Sequence, residues 1–217
     1  MWDVVQCVME HHDCWQCGHP SAQSLFCQFC NTLQPPVPDY YRFLGMPKKL
    51  HLDTSELQKR FYQMSRLLHP DRFTRATNRE QQLSLDATAI LNDAYRVLRD
   101  PVARAEYVLK ESGLDNGEQR TKDVPPELLE EVFELNMALE ELRMGDRGAR
   151  EPLEESHRKF LGMRDAIDGE LFGLFARYDG AGDAESGKRV LAEIRGVLNR
   201  RRYIRNLVEQ VEKELAA

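Results

Sequence analysis

A proline at position 70, set between two stretches of helical periodicity, forces a bend at Leu68-His69-Pro70-Asp71-Arg72. Proline has no N–H to continue a helix, and its ring pushes the preceding residue out of the α region, so a helix arriving here must stop at His69. Upstream, Asp53-Thr54-Ser55-Glu56 reads as a capping box. The Asp53 side chain can accept from an orphan N–H of the first turn, and Glu56 can reach back to the Asp53 N–H. Leu57, Phe61, Met64 and Leu68 then recur at intervals of four, three and four, which is one face of a 3.6-residue helix. Lys59, Arg60 and Arg66 fall mostly off that stripe and are expected in water. A polar stretch from Thr74 to Asn78 follows, and Leu83, Ala87, Ile90, Leu91, Ala94 and Leu98 mark a second helix. Two antiparallel helices joined by a tight loop would hold His69 and Asp71 at an exposed tip.

Four of the five cysteines form Cys14-Trp15-Gln16-Cys17-Gly18 and Cys27-Gln28-Phe29-Cys30, with nine residues between the pairs. Two such pairs can aim four thiolates at one tetrahedral ion, and zinc is the default. That ligand set is closed, so the site folds its segment and does no chemistry. A piece of about twenty residues cannot build a stable core alone, which makes a metal staple over residues 14–34 physically necessary if it is ordered. Two redox-active dithiols or a thiolate-bound iron site use the same residues differently; disulfides are disfavoured in a reducing cytosol. Cys7 lies outside the spacing and reads as a plain thiol in a flexible start over residues 1–13. His11, His12 and His19 are read as surface residues, because four thiolates complete the shell.

Pro35-Pro36-Val37-Pro38 favours an extended spacer, leaving the knuckle and the hairpin as beads with freedom between them. After the second hairpin helix, Asp100 can cap and Pro101 can open a further helix through Lys110, ended by Ser112-Gly113. Asn116-Gly117 and Pro125-Pro126 bracket a polar connection. Residues 125–217 read as three helices in an antiparallel bundle. Their apolar sets begin with Leu128, Leu129, Val132, Phe133, Leu135, Met137, Leu139 and Leu142, continue through Leu153 to Phe175, and finish with Val190 to Val211. Most of these residues are core by default.

No apolar run among the 217 residues approaches the length that spans a bilayer, so a transmembrane segment is excluded and no membrane partner is expected. The net charge of −6 argues against nucleic acid as a partner, because phosphate binding needs clustered cations in a favourable potential. Charge is uneven, however: Glu127, Glu130, Glu131, Glu134, Glu140 and Glu141 crowd one segment and Arg195, Arg200, Arg201, Arg202 and Arg205 another. Two helix faces that complement each other across the bundle account for this. The amino terminus lacks the layout of a secretory signal or an organelle presequence, which suggests a bacterial cytosol, with a mature mitochondrial-matrix form as the alternative.

The hairpin with its tripeptide resembles a J domain over residues 39–112. Asp39-Tyr40-Tyr41-Arg42-Phe43-Leu44-Gly45 is similar to that family's opening helix, and Asn92-Asp93-Ala94-Tyr95-Arg96-Val97-Leu98-Arg99-Asp100-Pro101 to its later signature. The order of knuckle, J domain and three-helix bundle, with Arg104-Ala105-Glu106-Tyr107-Val108-Leu109 between, resembles the HscB co-chaperone family in particular. The resemblance implies an all-α, monomeric protein with no active site of its own. His69, Pro70 and Asp71 would contact the ATPase of a DnaK- or HscA-type chaperone, with Lys59, Arg60 and Arg66 against its acidic surface. The client would be the iron–sulfur scaffold protein IscU, held by Leu129, Phe133 and Glu134 on the first bundle helix and Tyr203 on the third. Asn136 and Met137 stand where that family commonly carries charge. A thiolate-metal redox or electron-transfer protein built on Cys14, Cys17, Cys27 and Cys30 is the alternative.

Overall fold

The computed structural model describes residues 12–21, 24–114 and 124–216. The expectations for residues 1–11, including Cys7 and His11, and for Asn116-Gly117 lie outside the described residues. The chain forms two compact units: one runs up to Lys48 and over Leu52–Asp100, the other comprises Lys49–His51 and the chain from Pro101 onward.

In the first unit, β1 (His12–Asp13) and β2 (Pro20–Ser21) pair antiparallel. A bridge between Phe26 and Leu33 closes the second cysteine turn. Helices α1 (Tyr40–Phe43), α2 (Thr54–Leu68) and α3 (Asn78–Arg99) follow, with a short 3-10 turn at Pro70–Phe73. α2 starts where the sequence places it: the Asp53 carboxylate accepts from the Ser55 N–H at 2.9 Å and the Glu56 N–H at 3.2 Å. Glu56 does not complete a box there; its carboxylate turns forward to the Arg60 guanidinium at 2.8 Å. The reciprocal box forms at α3 instead, between Thr77 and Glu80. Leu57, Leu68, Phe73, Ala87, Leu91, Ala94 and Leu98 are buried between the helices, and the Phe61 and Tyr95 rings stack at 4.3 Å.

The knuckle belongs to this same unit, contrary to the expectation of free beads. Leu33 and Gln34, just ahead of the prolines, are buried. The Arg79 guanidinium at the start of α3 lies 4.3 Å from the centre of the Trp15 ring.

The second unit is built on α4 (Pro101–Glu111), α5 (Leu129–Arg143), α6 (Arg150–Asp179) and α7 (Ala184–Leu215). α6 and α7 form the long antiparallel pair, with α5 against α6 and α4 against α7. Leu135, Leu139, Leu153, Phe160, Leu171, Phe175, Ile194, Leu198 and Ile204 fill the interior. The two oppositely charged segments meet where Arg200 pairs with Glu127 at 3.3 Å; Arg200 also pairs with Glu170, and Arg143 with Glu214 at 2.8 Å. Lys49–His51 joins this unit because the Asp179 carboxylate accepts from the Leu50 and His51 N–H groups, each at 2.7 Å. α4 also groups here, so compactness divides the chain at Pro101 although the sequence likeness runs past it.

Candidate functional site

The bend at Pro70 leaves the last turn of α2 with a carbonyl that needs a partner. The Leu68 carbonyl accepts from the Ser84 hydroxyl at 2.7 Å and the Thr88 hydroxyl at 3.2 Å, both from α3. Phe73 is buried at the far end of the 3-10 turn. Between these anchors the tip faces solvent, with the side chains of His69 57% and Asp71 86% exposed. The Asp71 N–H is directed at His69 Nδ1 at 3.3 Å, and the two side chains approach to 3.5 Å. The loop thus displays one imidazole and one carboxylate to solvent.

Of the three helix cations, Lys59 and Arg66 are exposed on α2 as expected. Arg60 is only partly exposed. Its guanidinium reaches back to the carbonyls of Leu44, at 3.3 Å, and Gly45. These carbonyls close the turn after α1, where Gly45 has a φ of +62°. A planar fork with several donors can serve two adjacent carbonyls and a carboxylate together, which turns this cation into a tie between α1 and α2.

The cysteine quartet is made of two matching turns. Gly18 N–H donates to the Cys14 carbonyl at 2.9 Å, and Asn31 N–H to the Cys27 carbonyl at 2.8 Å. Each donor sits in the left-handed region, with φ of 71° and 56°. This matches Asn31 to Gly18, since asparagine tolerates that conformation better than other residues with a Cβ. The four Sγ atoms lie within 4.8 Å of one another, with Cys14 to Cys30 at 3.6 Å and Cys17 to Cys27 at 3.7 Å. Tetrahedral thiolates at a Zn–S length of about 2.3 Å stand roughly 3.8 Å apart, so the quartet is spaced to hold a metal ion.

Burial raises the Cys14 thiol, but donation from the Cys17 and Gln16 backbones and from neighbouring thiols outweighs it and brings the group down to about 6. At Cys17 the His19 backbone lowers the thiol, while burial and the other three cysteines overcome it, up to about 12. Four thiolates this close repel one another, and a bound dication is what lets all of them ionise. His19 stacks on Phe29 at 4.6 Å, as a surface residue would.

On α5, Leu129, Phe133 and Met137 are 57%, 65% and 49% exposed. At intervals of four they form one apolar stripe facing away from the interior, so they do not belong to the core in which the helical pattern alone would put them. Glu134 is exposed beside them and 3.8 Å from Lys159. Tyr203 is half-buried on α7, and burial pushes its hydroxyl up from the ordinary value. Helical periodicity did not distinguish the two sides of α5, and the Glu-rich flanks were the available signal for its outer face.

Residues 39–107 match the family described as DnaJ domain. The chain is similar to the mouse iron-sulfur cluster co-chaperone protein HscB, 28% identical over 92% of this chain and 81% of that protein. A co-chaperone protein HscB homolog of Vibrio vulnificus is 39% identical over 49% of this chain, which spans 63% of that relative, less than two thirds of its length. The crystal structure of human co-chaperone protein HscB superimposes with a TM-score of 0.71 at 25% identity, covering 94% of this chain and 98% of the other. The exposed tripeptide between α2 and α3, the helical second unit and these likenesses together place the chain among the J-domain co-chaperones of the HscB family.

Proposed function

We propose that this co-chaperone acts in iron–sulfur cluster assembly by stimulating ATP hydrolysis in a DnaK- or HscA-type chaperone and delivering an IscU-type scaffold protein to it. The observation that carries this reading is the exposed His69-Pro70-Asp71 tip, held from behind by Ser84 and Thr88. The chain contributes no reaction of its own; His69 and Asp71 are donated to the partner's ATPase, with Lys59 and Arg66 meeting acidic groups beside it. Arg60, tied to the turn after α1 and still partly exposed, lies on the same surface and would meet them too. Leu129, Phe133 and Glu134 on α5, with Tyr203 on α7, hold the scaffold. Joining both contacts in one chain raises the client's effective concentration at the ATPase. Cys14, Cys17, Cys27 and Cys30 hold one structural zinc that stiffens their segment.

The test is single-turnover ATP hydrolysis by the partner chaperone with the wild-type chain and with His69→Gln, circular dichroism being recorded for both. Loss of stimulation with an unchanged spectrum is expected. Full stimulation by the variant would overturn the reading.

A further inference from the structure

The first unit also holds a groove of about 1010 Å3 that neither the loop tip nor the α5 stripe uses. Ligand clefts run to about 300–1,000 Å3, so there is room for several residues of a peptide. Trp15, Leu25, Pro35, Pro36, Val37 and Met64 give it an apolar lining. Its charged lining is Arg42, Lys59, Arg60 and Arg79 against Asp13 and Glu56. Glu56 is engaged by Arg60 at 2.8 Å and approached by Lys59 at 4.0 Å. The exposed side chains of Arg42 and Arg79 have no ion-pair partner among the described residues. Arg79 stacks on Trp15, and a stacked guanidinium keeps its edge N–H groups free for a carboxylate.

Pro35, Pro36 and Pro38 lack an N–H, so that wall offers ring carbons and carbonyl acceptors, with the Val37 N–H its single backbone donor. A phosphate or free nucleotide would meet mostly acceptors there. A peptide brings N–H donors to those carbonyls and, when extended, sends alternate side chains to opposite sides. We propose that this groove binds an extended segment of another protein in which acidic and apolar residues alternate, its carboxylates on Arg42 and Arg79 and its apolar side chains against Trp15 and the prolines. The site is separate from the tripeptide and from the α5 stripe, and its occupation does not require either.

The probe is a fluorescein-labelled heptapeptide of alternating aspartate and leucine, titrated by anisotropy with the full chain. Saturable binding is expected, weakening with added salt, with no binding of the matching lysine–leucine peptide. Arg42→Glu combined with Arg79→Glu should weaken it at least tenfold. Because Arg79→Glu also removes the stack on Trp15, Arg42→Glu alone is the second variant. It should weaken binding at least threefold while the circular dichroism and the stimulation of the partner ATPase stay unchanged. Absence of saturable binding, equal binding of both peptides, or insensitivity to Arg42→Glu would overturn the proposal. So would full displacement by inorganic phosphate at low millimolar concentration, which would mark a simple anion site. Binding only after removal of residues 1–11 would also overturn it, by assigning the groove to the chain's own start.

Discussion

The Ser84 hydroxyl, fully buried in α3, donates at 2.7 Å to the Leu68 carbonyl at the last turn of α2. This bond holds the base of the displayed loop. Ser84→Ala leaves Thr88, at 3.2 Å, as the remaining hydroxyl on that carbonyl. A buried acceptor that loses a partner costs about 1–3 kcal/mol, so urea unfolding should show a loss in that range. Stimulation of the partner ATPase should fall with it, since the tip loses its support. Unchanged stability would show that Thr88 alone suffices.

Arg60 predicts a second loss away from the tip. Arg60→Ala should lower the melting temperature, and Arg60→Lys should restore little, because a point charge cannot serve both carbonyls and Glu56 as the planar fork does. Gly45→Ala tests the same junction: φ is +62°, and an added Cβ would stand 2.7 Å from Arg60 Nη1. Thermal melts of the three variants check this, and a Lys variant as stable as wild type would refute the tie.

For the knuckle we expect one zinc per chain by elemental analysis and no visible absorption, whereas ferric thiolate would be coloured. Chelation should unravel the cysteine turns and change Trp15 fluorescence, with most helical circular dichroism retained. Asn31→Gly should be tolerated and Asn31→Val should weaken metal retention, since φ at this position is 56°. Equal metal content and chelator resistance in the Val variant would contradict the turn argument.

The α5 stripe gives a binding prediction that separates two kinds of residue. Leu129→Ala and Phe133→Ala remove exposed groups, so the melting temperature should hardly move. Scaffold binding by calorimetry should weaken about tenfold or more, equivalent to about 1.4 kcal/mol. Tyr203→Ala should cost some stability as well, because that ring is half-buried. Unchanged affinity in Phe133→Ala would place the client elsewhere.

Asp183 gives the bundle an acid limb. Its carboxyl is held below the ordinary aspartate value by the Ser186 backbone and side chain at the start of α7. A depressed carboxyl contributes stability that is full above its unfolded value and is lost as pH falls through the folded one. Asp183→Asn keeps an oxygen for the cap and removes the titration. Its stability should fall less than that of wild type below about pH 4, as followed by denaturant midpoints; parallel acid curves would rule this out.

The sequence made the hairpin legible through Asp53, the Leu57-to-Leu68 stripe and Pro70, because each acts through local backbone chemistry. The quartet was equally legible from spacing. Ser84 was not, since a hydroxyl on a helix reads as polar surface until the carbonyl it serves is located across the hairpin. Arg60 and Lys59 look alike in sequence, and only the turn after α1 separates them. Leu129 and Phe133 fit a helical apolar pattern whether they face inward or outward, and tertiary packing decides which. The placement of α4 with the second unit likewise depends on long-range partners such as Glu106 and Arg202, at 3.0 Å.

Arg200, Arg201 and Arg202 are all committed to carboxylates of their own unit, at Glu127 and Glu170, Asp168, and Glu106. Glu130, Glu134, Glu140 and Glu141 remain exposed along α5, around the apolar stripe. On the proposed role, the surface a client would first meet is anionic, while the contact it would keep is oily. There, long-range attraction of cationic groups on the partner would set how often encounters occur and would fade with salt, whereas Leu129, Phe133 and Met137 would set how long the pair lasts. The association rate should drop steeply between low and physiological ionic strength while the dissociation rate stays nearly constant, so arrival and residence at this helix are governed by different atoms.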